Sequence, residues 1–293
     1  MSVNDSKTGK NCRSLDKKAF KQRVCEFRRL IWMRREMEAT NRRKLGKDSA
    51  QKEGLKMKLR DFKEMINRTV FCALSDKDAH FRGVLLKRSE GKLVMVATNN
   101  RVLGFASSNV GDDFPDFGEF VVPPEVLQKI AKRKRDTVSL SISVSNNEVN
   151  FRIGSACVSA ETVSGNHPQF VRILENIPTA SFAVDRLLLL EALDMISATR
   201  GVWGSVYFAL SSGTLILQTD DENSSAEVEV PCDYSGEKAD LTFSMKYITE
   251  IIKHIDTERV SIRFGTRNIT VAIMPVPEQG YFFLLAQKRR NGT

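Results

Sequence analysis

The feature that most constrains this chain is an internal repeat. Leu93–Asn99 (LVMVATN) and Leu215–Asp221 (LILQTDD) lie 122 residues apart. Phe120 pairs with Leu241 at an offset of 121, and Val138 with Val260 at 122. Upstream, Phe62, Met65 and Ile66 pair with Val184, Leu187 and Leu188, again at 122. Each unit runs from a short strand into an amphipathic helix, then a charged turn, then a strand that alternates apolar and polar residues. In the later unit Ile248, Ile251, Ile252 and Ile255 form one apolar stripe at helical spacing. In the earlier unit Val126, Leu127, Ile130 and Ala131 do so behind Pro123-Pro124, where a missing N–H costs nothing. Two copies are too few for a solenoid. The expected fold is α+β, with two tandem domains at residues 54–177 and 178–293 behind an N-terminal segment at 1–53.

Charge is distributed against this repeat. The first 66 residues carry 20 Lys/Arg against 9 Asp/Glu, and the remainder 25 against 27. The basic excess therefore sits outside the repeat and points to a polyanionic partner. Ser14 is a candidate helix cap, and Phe20, Val24, Phe27 and Ile31 make an apolar stripe. Around it lie Lys17, Lys18, Lys21, Arg23, Arg28, Arg29, Arg34 and Arg35, and Gly46 is a plausible stop. This reads as one basic amphipathic helix. Three uses compete: packing on the body or a partner helix, contacting DNA phosphates, or lying on a membrane surface. Residues 46–53 read as a linker.

Copy A is expected to hold strands LKMKL, VFCAL, RGVLLK, KLVMVAT and VLGFAS, then a helix over 124–135. Strands VSLSISV, EVNFRI and ACVSAETV follow as a meander, turning at Asn146-Asn147. In copy B, Asp185 caps a helix whose Leu188, Leu189, Ala192, Leu193 and Ile196 face the core. Strands SVYFAL, TLILQT, AEVEV, ITVAIM and YFFLLA complete it.

No catalytic constellation is legible: there is no GxSxG, Walker A loop, GxGxxG or HExxH, and the three histidines are far apart. The five cysteines are scattered without a CxxC pair, which fits reduced thiols in a cytoplasmic protein. Acidic clusters at Asp112, Asp113 and Asp116 and at Asp220, Asp221 and Glu222 read as solvated turns, so neither metal nor cofactor is expected. The first ten residues lack the apolar core of a signal peptide, and no run of about 20 apolar residues spans a bilayer. Cations recur on the outward sides of the repeated helices: Arg60 and Lys63, then Lys129, Lys132, Arg133, Lys134 and Arg135, then Arg186 and Arg200, then Lys246 and Lys253. Such helices can meet phosphates without reading bases.

These residues resemble the bacterial β sliding clamp, the processivity factor of the replicative DNA polymerase. CDYSGEKADLTFSMKYITEIIKHI is similar to that family's Y-S-G turn, strand and helix. LVMVATNNRVLGF resembles its VATDGHRLA segment, VSGNHPQFVRILENIP its domain joint and FVVPPEVLQKI its helix start. The likeness covers roughly residues 54–286 and corresponds to the second and third of the family's three domains, with the basic helix in place of the first. It implies a non-enzymatic protein with sheets outside and helices inside, holding double-stranded DNA. It also implies partners: a polymerase or other clamp-binding-motif proteins, a clamp loader, and copies of the chain itself, a trimer if six domains close a ring. Rival readings are an open DNA-binding protein using its basic helix, and a protein that sequesters clamp partners. The family's partner groove would fall at Thr98, Leu103, Pro168, Arg172, Ile173, Phe282, Leu284 and Ala286. The family's D-G-H-R becomes Asn99-Asn100-Arg101-Val102 here, and its M-P-M-R-L ending becomes LLAQKRRNGT, so the groove is expected to be altered.

Overall fold

In the computed structural model the described residues are 57–73, 83–89, 91–110, 118–134, 138–145, 147–163, 180–200, 204–219, 226–265 and 269–288. The N-terminal segment, including Arg28, Arg29, Arg34 and Arg35, lies outside them. Copy A opens with β1 (Met57–Lys58) and α1 (Leu59–Thr69), followed by β2 (Val84–Ser89), β3 (Lys92–Thr98), β4 (Val102–Asn109) and β5 (Glu119–Val122). Then come α2 (Pro124–Ala131), β6 (Ser139–Ser145), β7 (Glu148–Ile153) and β8 (Ala156–Glu161). Copy B repeats the order as β9 (Ala180–Asp185), α3 (Arg186–Arg200), β10 (Ser205–Ser211), β11 (Thr214–Thr219), β12 (Glu227–Asp233) and β13 (Ala239–Ser244). It ends with α4 (Met245–Lys253), β14 (Arg259–Phe264), β15 (Thr270–Val276) and β16 (Tyr281–Ala286).

Each copy is a pair of antiparallel four-stranded layers with two helices packed against them. In copy A the layers are β5-β2-β3-β4 and β1-β6-β7-β8; in copy B they are β13-β10-β11-β12 and β9-β14-β15-β16. Register demonstrates the duplication. Val84 faces Val122 and Leu86 faces Phe120 in copy A; Val206 faces Phe243 and Phe208 faces Leu241 in copy B. The four isoleucines of the later helical stripe are all buried, as are Leu127 and Ile130 of the earlier one.

Two of the expected pairings shift. The counterparts of Phe62, Met65 and Ile66 are Leu189, Ala192 and Leu193, five residues beyond the expected match, whereas Leu187 and Leu188 are exposed. Leu187–Leu190 is a run of four leucines, so apolar spacing alone cannot choose a face. The phase is set by Asp185, whose Oδ1 accepts from the amides of Leu187 (2.8 Å) and Leu188 (2.9 Å). Val138 corresponds to Glu258 rather than Val260, because Leu59 N–H donates to Val138 O (3.0 Å) as Arg186 N–H donates to Glu258 O (2.8 Å). A slip of two preserves strand alternation, so the pattern could not expose it.

Local differences have equally local causes. The expected strand at VFCAL is a 3₁₀ turn over Val70–Cys72, continuing from α1. Of the described residues of LKMKL, Met57–Lys58 form a strand and Leu59 begins the helix. The helix expected over 124–135 ends at Ala131, leaving Lys132, Arg133 and Lys134 in the turn beyond it. That end is closed by Lys63 Nζ, which donates to the Arg133 carbonyl.

Candidate DNA-facing helices and partner groove

The two copies join along a seam. β16 pairs with β4 through Phe282↔Phe105 and Leu284↔Leu103, continuing one sheet across both copies. Side chains directly opposite in an antiparallel pair share a face. Here that face holds a small apolar cluster of Leu85, Val94, Val96, Leu103, Phe105, Val121, Ala272 and Leu284, with Phe282 packed against it. The Phe105 and Phe282 rings stack at 4.8 Å. The first layer of copy A is therefore apolar on both faces, which explains why KLVMVAT reads as a near-continuous run. The equivalent face of copy B carries Gln218 and Glu227, joined at 2.9 Å, and there the alternation of TLILQT reappears.

Of the eight expected groove residues, the structure gathers Thr98, Leu103, Phe282, Leu284 and Ala286 at this seam. Thr98 Oγ1 donates to Val102 O (2.9 Å) and closes the β3–β4 hairpin, so it shapes the patch rather than lining it. Leu103 and Leu284 are buried, while Phe282 and Ala286 keep partial exposure. Pro168, Arg172 and Ile173 lie outside the described residues.

A second joint links the copies. Arg68, near the end of α1, donates to the His254 carbonyl beyond α4 and to Asp256 Oδ2 (2.6 Å). Its guanidinium lies 4.2 Å from the centroid of the Tyr281 ring, and Tyr281 Oη donates to Asp256 Oδ1 (2.6 Å). Phe71 stacks on His254 with ring centroids 4.0 Å apart. Burial by itself would raise the Asp256 carboxyl. The Tyr281 hydrogen bond and the Arg68 charge outweigh it and hold the group below its ordinary range. The Tyr281 hydroxyl is pushed up, first by burial and then by its bond to Asp256. No sequence pattern advertised this joint: its members lie 188 positions apart between Arg68 and Asp256.

The expected phosphate-facing cations divide unevenly. Lys129, Lys132, Arg133 and Lys134 are exposed together around the C-terminal end of α2. Lys246 and Lys253 are exposed on α4. Arg60 is exposed and paired with Glu64 (3.1 Å), and Lys63 is engaged as the cap described above. Arg186 is half-buried and donates through Nε to Thr257 O (3.1 Å), bracing its own domain. Of Arg200 only the backbone is described, and Arg135 lies outside the described residues. On α3 the exposed face is Leu187, Leu188, Glu191, Asp194 and Met195, a surface the cation pattern did not foresee.

Among the described residues no three His, Cys, Asp or Glu side chains gather as a metal site. Both acidic clusters read as turns lie outside those residues. Among the described residues, no helix is long and apolar enough to cross a membrane.

The repeated layers and their seam have counterparts in known proteins. The model of the DNA polymerase III beta subunit central domain matches residues 56–169, and that of its C-terminal domain matches 172–287. The chain belongs to the β sliding clamp family. The beta sliding clamp of Treponema pallidum is 24% identical over 232 residues, covering 77% of this chain and 62% of the relative. That of Chlamydia muridarum is 24% identical over 203 residues, covering 68% and 56%. The chain thus spans about three-fifths of these relatives' length. Among solved structures, the sliding clamp of Pseudomonas aeruginosa bound to griselimycin superposes with a TM-score of 0.76 at 20% identity, covering 84% of this chain and 68% of that one. The sliding clamp of Caulobacter crescentus gives 0.73 at 21% identity, covering 84% and 69%. At these identities the likeness fixes the fold: two tandem clamp-type domains with large antiparallel sheets.

Proposed function

We propose that the protein is a clamp-type processivity platform, with residues 54–177 and 178–293 as its two modules. It holds duplex DNA through phosphate contacts and docks replication or repair partners at the seam. Membership of the clamp family supports this reading, and the observation that carries it is the exposed cation group Lys129, Lys132, Arg133 and Lys134. Contacts to phosphate need no fixed register, so a protein held this way can slide. Processivity of this kind comes from retention on DNA and needs no bond-making group. The partners are a polymerase or other proteins with clamp-binding motifs, met at Phe282 and its neighbours, and a clamp loader. The reading places the protein in the cytoplasm. In the test, replacing all four cations by alanine lowers duplex affinity uniformly across sequences and flattens the dependence of log K on log salt. The slope falls by about 0.9 for each phosphate that is no longer neutralised. An unchanged salt slope excludes this surface.

A second reading, an open clamp-fold protein that does not encircle DNA, is favoured by a specific observation. If copies closed a ring by repeating the seam, β8 of one would meet β12 of the next. Following the ladders, Cys157, Ser159 and Glu161 of β8 stand where β16 has Phe282, Leu284 and Ala286. Glu227 of β12 stands where β4 has Phe105. A repeated seam would lack its apolar cluster. Light scattering at micromolar protein separates the two: a trimer supports six domains in a ring, and a monomer with and without DNA supports the open form. Binding of a clamp-motif peptide without any affinity for DNA would instead identify a protein that sequesters partners.

A further inference from the structure

Four large apolar side chains are markedly exposed among the described residues: Leu187 (57%), Leu188 (42%), Met195 (54%) and Ile269 (63%). Three of them share one face of α3. With Glu191 and Asp194 they recur at i, i+1, i+4, i+7 and i+8, a continuous stripe one side wide. Among the described residues, none of the other helices has such a face. The exposed residues of α1 are Arg60, Glu64 and Asn67; those of α2 are Glu125, Gln128 and Lys129; those of α4 are Lys246 and Lys253. An apolar stripe bearing two carboxylates on a solvent-facing helix calls for a cover that is apolar along its centre and basic at its margins.

We infer that residues 14–45 of the same chain supply that cover, laying Phe20, Val24, Phe27 and Ile31 on Leu187, Leu188 and Met195, with their lysines and arginines beside Glu191 and Asp194. Charge complementarity is the first support. The segment brings Lys17, Lys18, Lys21, Arg23, Arg28 and Arg29 to a face whose own charges are both negative. Length is the second. As a helix, Phe20 to Ile31 extends about 16 Å, against about 12 Å from Leu187 to Met195. A docked segment would carry basic charge to a helix whose described exposed residues have none.

The inference stands independently of the DNA reading, and its test contains no nucleic acid. Full-length protein is treated with a carbodiimide, which joins lysine amines to carboxylates in direct contact, and the monomer band is mapped by mass spectrometry. The expected products link Glu191 or Asp194 to Lys17, Lys18 or Lys21. Two variants should each reduce them at least tenfold: Leu187→Ser with Met195→Ser on exposed α3 positions, and Phe20→Ser with Phe27→Ser in the segment. The thermal transition is recorded for each, and an unaltered transition shows that the loss is local. Links confined to cross-linked dimers would assign the cover to a second copy and overturn the inference. So would links that persist in both folded variants, or their absence from the wild-type monomer.

Discussion

At the scale of single residues, the contact between copies depends on one guanidinium satisfying three groups at once. Arg68 is largely buried, its side chain 13% exposed, while its partner Asp256 is 57% exposed. Solvent screens the carboxylate, so the ion pair alone contributes little, and the carbonyl bond and ring contact carry much of the effect. Arg68→Ala should destabilise the protein by about 2 kcal/mol in urea titration. The Asp256 carboxyl is held below its unfolded value of about 3.9. Its stabilisation is therefore complete above that pH and disappears as pH falls through the lower folded value. Asp256→Asn should remove that component, giving a shallower loss of stability below about pH 4 than in the wild type. Gly104 tests close approach. A Cβ there would lie 2.6 Å from Arg68 O and 2.9 Å from Cys72 Sγ, so β4 could no longer rest on the end of α1. Gly104→Ala should cost about 1–3 kcal/mol.

At the scale of elements, α3 shows how a cap chooses among faces that composition leaves equivalent. Its four consecutive leucines satisfy an apolar stripe in any phase, and the Asp185 carboxylate selects one. Leu189 and Leu193 then enter the core, whereas Leu187 and Leu188 do not. Truncation should report the phase directly. Leu189→Ala and Leu193→Ala should each cost about 2–5 kcal/mol, and Leu187→Ala about 0.5 kcal/mol or less if the face is solvated. A larger loss at Leu187 in the full chain, absent after removal of residues 1–50, would reveal the docked cover. Helix α2 and strand β6 were legible because both periodicities are clean and Pro124 marks the start. The 3₁₀ turn at Val70–Cys72 was not: three apolar residues in succession fit a short strand as well as a tightening helix end.

At the scale of the whole molecule, the seam makes two modules one mechanical unit. Five residue pairs join β16 to β4, and the Phe105–Phe282 stack lies over them. Leu284→Ala should lower stability by about 2–5 kcal/mol and, with the joint weakened, separate one unfolding transition into two by calorimetry. Folding of the modules is robust to this change because each has its own helix-packed layers. The sequence by itself determined the duplication, the strand alternation, the helical stripes and the clamp-family likeness. These are local periodicities or repeats of them, and each is written in adjacent residues. Tertiary structure alone decided the helix phase of α3, the two-residue slip before β14, the Arg68–Asp256–Tyr281 joint and the uneven sharing of cations among helices. Those depend on which distant group meets a given backbone atom or side chain. Spacing along a chain carries no record of that choice until the chain has folded.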